Sequence, residues 1–343
     1  MRIFAPQNRI PLSAAWLLLL LCIAGCGGPE YDVKAETEIR TCTSAYGTNL
    51  WVEQDSGGVE WVGQGALLAS RFPTLEDFKK VVDLRYFTEE NAEDPYADGV
   101  SRVEIRHCSN GKQITSILES GIGQKDISKV KSGGFWARLG LVFRSPFSVA
   151  NRVALQRVYT LTRRRPQWFG EGDGAFYDLA EHMVAHINTP DLAFRNKRDS
   201  SEKGFINSFN HLTAQAFITT IFTEEVADFV ADVHERKAMR ELITGIFTPE
   251  QLSDPNNNPI DNYVDVVNNE WGQELGKELR EKYGIRRGMA WTPELLANYL
   301  NELQQYYAWA FQIGMAPFRM DDEVVTKFVD KINRVLKDDY AGA

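Results

Sequence analysis

Two histidines, two carboxylates and an amide stand in segments whose residue spacing predicts three helices. His211 lies in the first segment, His234 and Glu235 in the second, and Asp265 and Asn269 four residues apart on one face of the third. A histidine near a carboxylate can take a proton from water, while a second histidine or an amide stabilises developing negative charge. These residue types indicate a hydrolase in which His211 and His234 act as acid and base. Glu235 and Asp265 would orient them, and Asn269 would contact the substrate.

The third predicted helix carries features that a purely apolar core would not need. Gly272 and Gly276 follow Asp265 and Asn269 on the same side, and each glycine inside a helix costs about 1 kcal/mol relative to alanine. Close approach of a neighbouring helix or of a ligand would account for them. Buried amides and carboxylates need polar partners, so a structural hydrogen-bond network explains the same residues. The sequence leaves catalysis or ligand binding open beside that structural role.

The three segments resemble an uncharacterised bacterial family of helical domains. That family is marked by Arg-His, His-Glu and Asp-x-x-Asn-Asn-x-x-Gly motifs, which match residues 210–211, 234–235 and 265–272 here, over about residues 200–280 of the chain. The departure is Asn210, which stands where the family usually has arginine, so an anion-clamping role is not carried over. The resemblance implies a shared polar site and does not name a reaction.

Common hydrolase and metal motifs are missing from the sequence. It has no Gly-x-Ser-x-Gly and no His-Glu-x-x-His pattern. His182 and His186 have the i, i+4 spacing of a zinc pair, but no glutamate follows His182, and a structural role is favoured. The sequence therefore predicts neither a bound metal nor a cofactor.

The elements that position these residues predict an α+β fold. Residues 41–125 are predicted to form a small α+β domain, with a hairpin within 49–69, a helix at 75–83 capped by Thr74, and a hairpin turning at Asn110-Gly111. Residues 126–343 are predicted to form a larger, mostly α-helical domain, because strand patterns nearly vanish beyond residue 145. Helical spacing recurs at residues 149–161, 176–187, 205–222, 226–239, 263–279, 295–311 and 324–336.

The N-terminus has the order of an export signal, with Arg2 and Arg9 before an apolar run that ends at residues 23–26, Ile-Ala-Gly-Cys. That tetrapeptide resembles the lipobox of bacterial lipoproteins. The resemblance implies that residues 1–25 are a signal peptide and that Cys26 is lipidated, a stable membrane anchor. Gly27 at the next position implies the outer membrane, most simply its periplasmic face. The polar residues 26–40 are predicted to form the lipidated N-terminus and a flexible tether.

Charge and cysteine content narrow the function further. The net charge is −9, and removal of the signal peptide with its two arginines leaves −11, which disfavours nucleic acid as a partner. Export places Cys42 and Cys108 in an oxidising space, where they are predicted to pair, the alternative being two separate buried thiols. The leading hypothesis is a lipoprotein whose pocket hydrolyses or binds a cell-envelope component. The alternative is a non-catalytic envelope lipoprotein that docks a protein partner or has a structural role.

Overall fold

The computed structural model describes residues 51–53, 59–61, 64–87, 101–123 and 135–337 of the chain. The predicted signal peptide, Cys26, the predicted tether and Cys42 lie outside the described residues. The predicted disulfide therefore has only Cys108 within them. Within the described residues, no helix combines the length and the apolar character that crossing a membrane requires.

The strands lie near the beginning of the described chain. β1 (Trp51–Glu53) and β2 (Val59–Trp61) form an antiparallel hairpin, as predicted. A three-stranded antiparallel sheet has the order β3 (Val82–Phe87), β4 (Arg102–Ser109) and β5 (Lys112–Glu119).

The β4–β5 turn is the predicted one. Asn110 and Gly111 both have positive φ, 50° and 76°, which a two-residue hairpin turn of this kind requires. Strand β3 was missed, because the predicted helix at 75–83 in fact ends at Lys79. Its predicted cap is confirmed, since the Thr74 side chain accepts a hydrogen bond from the backbone of Asp77.

Most of the described chain is helical, as predicted. The thirteen described α-helices are α1 (Leu75–Lys79), α2 (Phe135–Arg144), α3 (Pro146–Ala150), α4 (Arg152–Leu161), α5 (Pro166–Phe169), α6 (Phe176–Ala185), α7 (Pro190–Ala193), α8 (Phe205–Ile221), α9 (Glu224–Ala238), α10 (Pro249–Ser253), α11 (Pro259–Lys282), α12 (Pro293–Phe311) and α13 (Glu323–Lys337). Thr292 caps α12 as predicted, accepting from the backbone of Leu295.

Helix α11 runs through the middle of the packed core. Every residue from 259 to 274 is buried, polar residues included. Sheet residues such as Val103 and Ile105 belong to the same hydrophobic cluster as Val264 and Trp271 of α11. The sheet and the helices around α11 therefore share one core, which excludes water from the polar side chains of this helix.

One polar residue of α11 ties down a distant backbone segment. The side-chain amide of Asn268 donates to the carbonyl oxygen of Leu67 at 2.9 Å and accepts from its backbone N–H at 2.9 Å. Both polar ends of this fully buried amide are satisfied, which offsets the cost of removing it from water. Asn268 is thus a structural residue that fixes the segment before β3 against α11.

Candidate acid–base site on three helices

Helices α8 and α11 are joined by a ladder of polar pairs. The partners are always 58 residues apart and recur every four residues, from Lys203 just before α8 begins, so the two helices run parallel. We call this set the α8–α11 ladder: Lys203–Asp261 at 2.5 Å, Asn207–Asp265 at 2.7 Å, His211–Asn269 at 3.0 Å and Gln215–Gln273 at 3.3 Å.

Two glycines allow the two helices to lie close enough for this ladder. A Cβ atom on Gly272 would lie 2.5 Å from the carbonyl oxygen of Leu212, and one on Gly276 would lie 2.5 Å from that of Ala216. Any side chain at either position would push the helices apart. The close approach predicted from the two glycines is confirmed, and the group that approaches is a helix.

His211 is held between two residues of α11. Its Nδ1 atom lies 3.0 Å from Oδ1 of Asn269, and its Nε2 atom lies 3.4 Å from Oδ2 of Asp265. Burial lowers the pKa of His211, although the bond to Asn269 and the charge of Asp261 act in the opposite direction. His211 is therefore a neutral imidazole at neutral pH, oriented by its neighbours.

Helix α9 brings His234 and Glu235 to the same place. The rings of His211 and His234 have centroids 5.9 Å apart, and His234 is exposed to solvent. Glu235 is 1% exposed, and within the described part of the chain neither of its carboxylate oxygens has a hydrogen-bond donor in good geometry. The Asn269 amide lies near enough to favour the ionised carboxylate. Glu235 is thus buried with both oxygens poorly satisfied.

The site has an excess of acidic groups. Burial, and then the charge of Asp265, raise the pKa of Glu235 well above its usual value. Burial and the charge of Asp261 likewise raise the pKa of Asp265, which Lys203 and the bond from Asn207 oppose. Among the described residues, no lysine or arginine forms an ion pair with Glu235 or Asp265. In the described part of the chain, these two carboxyl groups therefore lie close together without a fixed basic counterion.

Three of these residues have the spacing of a metal-binding group. One donor atom from each of His211, His234 and Glu235 lies within 4.8 Å of the other two. A second acidic group, formed by Glu224, Glu270 and Glu274, shows the same proximity. There, however, Lys277 lies 3.0 Å from Glu224 and 2.5 Å from Glu274 and already supplies a cation. The first group is the better candidate for a metal.

A surface cavity of about 240 Å³ opens at the beginning of α11. Lys203 and Asp261, the first rung of the ladder, line it together with Asn258 and Asp254. The five predicted site residues do not line this cavity, but Asp261 is one helical turn from Asp265. Of the five predicted site residues, His234 is the one that is exposed to solvent.

The structure brings all five predicted residues, His211, His234, Glu235, Asp265 and Asn269, into one cluster. Asn269 is 3% exposed and contacts His211 directly. Sequence reasoning did not assign Asn207 or Lys203 to the site. The four-residue spacing of positions 203, 207, 211 and 215, matched by 261, 265, 269 and 273, was the signal that would have found them.

His182 and His186, the other histidine pair, each contact a different group. Nδ1 of His182 lies 2.8 Å from the carbonyl oxygen of Asp178 in its own helix, and Nδ1 of His186 lies 3.0 Å from the Gln304 amide. Neither belongs to a described group of three possible metal ligands.

Comparisons with protein-family models, with curated proteins and with solved structures found no match to this chain. What the site does is therefore argued from its geometry and chemistry.

Proposed function

We propose that this chain is an outer-membrane lipoprotein, on the periplasmic face, that hydrolyses a component of the cell envelope. The observation that carries the proposal is the convergence of His211, His234, Glu235, Asp265 and Asn269, from three separate helices, beside a solvent-exposed edge. Residues that merely filled a core would not need to place two imidazoles and two carboxyl groups together.

The state of His211 supports a role as general base. Asn269 Oδ1 accepts the proton on Nδ1, which leaves the lone pair of Nε2 to accept a proton. Since burial lowers its pKa, His211 is neutral and competent at neutral pH. We accordingly assign Asn269 to orienting His211, in place of the substrate contact that the sequence indicated.

The remaining residues complete the chemistry. Water loses a proton to His211 as its oxygen bonds to the electrophilic carbon or phosphorus of the substrate. His234, the acid at the exposed edge, gives its own proton to the leaving group as that bond breaks. Afterwards His211 releases the proton it took and His234 regains one, both by exchange with solvent. Asp265 lies 3.4 Å from His211 and stabilises the imidazolium that forms between these two steps.

The cellular location rests on the sequence. The lipobox-like residues 23–26 and the glycine after them support an outer-membrane anchor on Cys26, and the tether at 26–40 gives the folded part a limited reach. Export also supports a disulfide between Cys42 and Cys108. A Cys26→Ala variant should lose labelled palmitate, keep its signal peptide uncleaved and no longer fractionate with the outer membrane. Retained palmitate would contradict the anchor.

Activity is tested with two histidine variants that differ only in location. The full chain, His234→Ala and His182→Ala are incubated with muropeptides, phospholipid vesicles, p-nitrophenyl acetate and p-nitrophenyl phosphate, and products are followed by mass spectrometry. We expect a hydrolysed product, at least about 100-fold slower formation with His234→Ala, and an unchanged rate with His182→Ala. If no substrate is cleaved, or both variants match the parent, the non-catalytic docking or structural role is favoured.

A further inference from the structure

The buried carboxylate of Glu235 needs a cation that no described side chain supplies. Glu235 is 1% exposed, and among the described residues neither of its oxygens has a donor in good geometry. Two basic residues in this part of the fold are engaged elsewhere: Lys203 pairs with Asp261 at 2.5 Å, and Arg236 pairs with Asp232 at 2.8 Å. A buried ion without a partner is costly, so this carboxylate takes up either a proton or a cation from solution.

We propose that His211, His234 and Glu235 bind one divalent transition-metal ion, with zinc as the ion that best fits the site. One donor atom of each residue lies within 4.8 Å of the other two. Donor atoms about 2.0–2.1 Å from a tetrahedral zinc ion lie about 3.4 Å from one another. Small rotations of the side chains would bring the three donors to that separation.

The donor types match the ion. Two imidazole nitrogens and one carboxylate oxygen form a ligand set that zinc occupies in hydrolytic centres, where a further position holds water. Calcium and magnesium prefer sites made of oxygen ligands. The exposed edge at His234 leaves a side from which water or a substrate can reach the ion.

The residues around the three ligands already have the orientation that a metal site requires. Asn269 Oδ1 lies 3.0 Å from Nδ1 of His211 and accepts the proton on that nitrogen. The free lone pair of the ring is then on Nε2, on the other side of the imidazole. Metal-binding histidines usually donate their second ring N–H to such an oxygen. Asp265, 3.4 Å from Nε2 and held by Asn207, lies beside the proposed ion. Without a cation or a proton between them, Nε2 and the Asp265 carboxylate would face each other as two acceptors.

Metal binding deepens the proposed function, since it concerns the same site, but it is measured without any substrate. With the ion bound, His211 and His234 would serve as its ligands, and the ion would take over the activation of water that the metal-free mechanism assigns to His211, by polarising the scissile group and acidifying a bound water. Failure of metal binding would leave the histidine mechanism standing. Failure of hydrolysis with intact metal binding would leave a metal-binding envelope protein.

The first test is a titration of the full chain, purified in detergent, treated with EDTA and desalted. Binding of zinc chloride, manganese chloride and ferrous sulfate is measured by calorimetry in separate titrations. The ferrous titration is done under nitrogen. We expect one equivalent of zinc to bind with a dissociation constant in the micromolar range or below. His234→Ala should raise that constant at least about 100-fold, because it removes a direct ligand, while His182→Ala should leave it unchanged. Manganese or iron bound at the same residues in place of zinc would equally support the proposal.

A second variant covers the case in which His234→Ala is poorly folded. Glu235→Gln keeps the size of the side chain, removes the buried charge, and should leave the metal-free protein at least as stable as the parent. Zinc should raise the melting temperature of the parent by at least about 4 °C and that of Glu235→Gln by much less. Equal zinc shifts in the two proteins, or no binding of any of the three ions by the parent, would overturn the proposal.

Discussion

Nδ1 of His211 and Oδ1 of Asn269 lie 3.0 Å apart and join the middle of helix α8 to the middle of helix α11. The contact repeats a pattern, since the pairs one turn before and one turn after it have the same separation of 58 residues. The ladder that holds the two helices together is therefore also what orients the candidate base.

Replacing Asn269 with alanine should weaken the site without removing a ligand. The His211 ring would lose the acceptor that fixes its orientation. We expect the dissociation constant for zinc to rise about 10–100-fold, the range usual for residues that orient a metal ligand. Calorimetry on the EDTA-treated full chain measures it. An unchanged constant would show that Asn269 does not orient the metal-binding form of His211.

Replacing Gly272 with alanine should destabilise the protein by about 1–3 kcal/mol, because the new Cβ would lie 2.5 Å from the backbone oxygen of Leu212. The matched control is Gly140→Ala in helix α2, where the new Cβ has open space around it. That control should stabilise the protein by about 0.5–1 kcal/mol. Urea unfolding measures both changes. Equal effects would contradict the close packing of α8 on α11.

His107 should make the protein sensitive to acid. It is buried, its Nδ1 accepts from Nε1 of Trp271 at 2.9 Å, and burial lowers its pKa to about 3. In the unfolded chain the pKa is about 6.5, so below that pH the unfolded state binds the extra proton. The contribution of His107 to the free energy of unfolding is therefore complete above pH 6.5. It is lost as the pH falls toward 3, by up to about 1.4 kcal/mol per pH unit.

The variant His107→Asn isolates this effect. An asparagine side-chain oxygen can replace Nδ1 as the acceptor for Trp271, but the amide does not titrate. The free energy of unfolding of the variant, measured in urea between pH 4 and 7, should decline less steeply on acidification than that of the parent. Parallel profiles for the two proteins would contradict the assignment.

Lys331 of helix α13 should be one of the most sensitive positions outside the site. Its ammonium group donates to Asp173 at 3.0 Å and to the carbonyl oxygens of Arg163 and Gly174, and both charged side chains are 1% exposed. Lys331→Met leaves the Asp173 carboxylate buried without its cation, so we expect a loss of about 3–5 kcal/mol.

Two controls accompany the Lys331 variant. Adding Asp173→Asn to Lys331→Met should restore part of the stability, since the unpaired charge is gone. Lys79→Met, which breaks the exposed pair with Glu76, should cost less than about 1 kcal/mol. If Lys331→Met costs no more than Lys79→Met, the buried ion pair does not stabilise the fold.

The helices that carry the site could be predicted because their apolar residues recur at helical spacing. The segment predicted at 205–222 is observed as α8 at Phe205–Ile221, and that at 226–239 as α9 at Glu224–Ala238. Polar residues at the edges of these apolar stripes need partners, which is why their convergence could also be anticipated.

Other features depend on contacts that local patterns do not contain. Asn268 binds the backbone of Leu67, 201 residues away, and β3 pairs with a strand that begins at Arg102. The possible metal group was not predicted, because the motifs considered place their ligands on one helix. Here His211 comes from α8 and the other two candidates from α9.

His211, His234 and Glu235 are expected to form one site with a common ligand. Anomalous diffraction at the zinc absorption edge, from crystals of the full chain grown with one equivalent of zinc, tests it most directly. We expect a single strong peak about 2.0–2.2 Å from a ring nitrogen of His211, a ring nitrogen of His234 and a carboxylate oxygen of Glu235. A zinc peak bound by other residues would contradict this assignment. So would the absence of any zinc peak at these three residues.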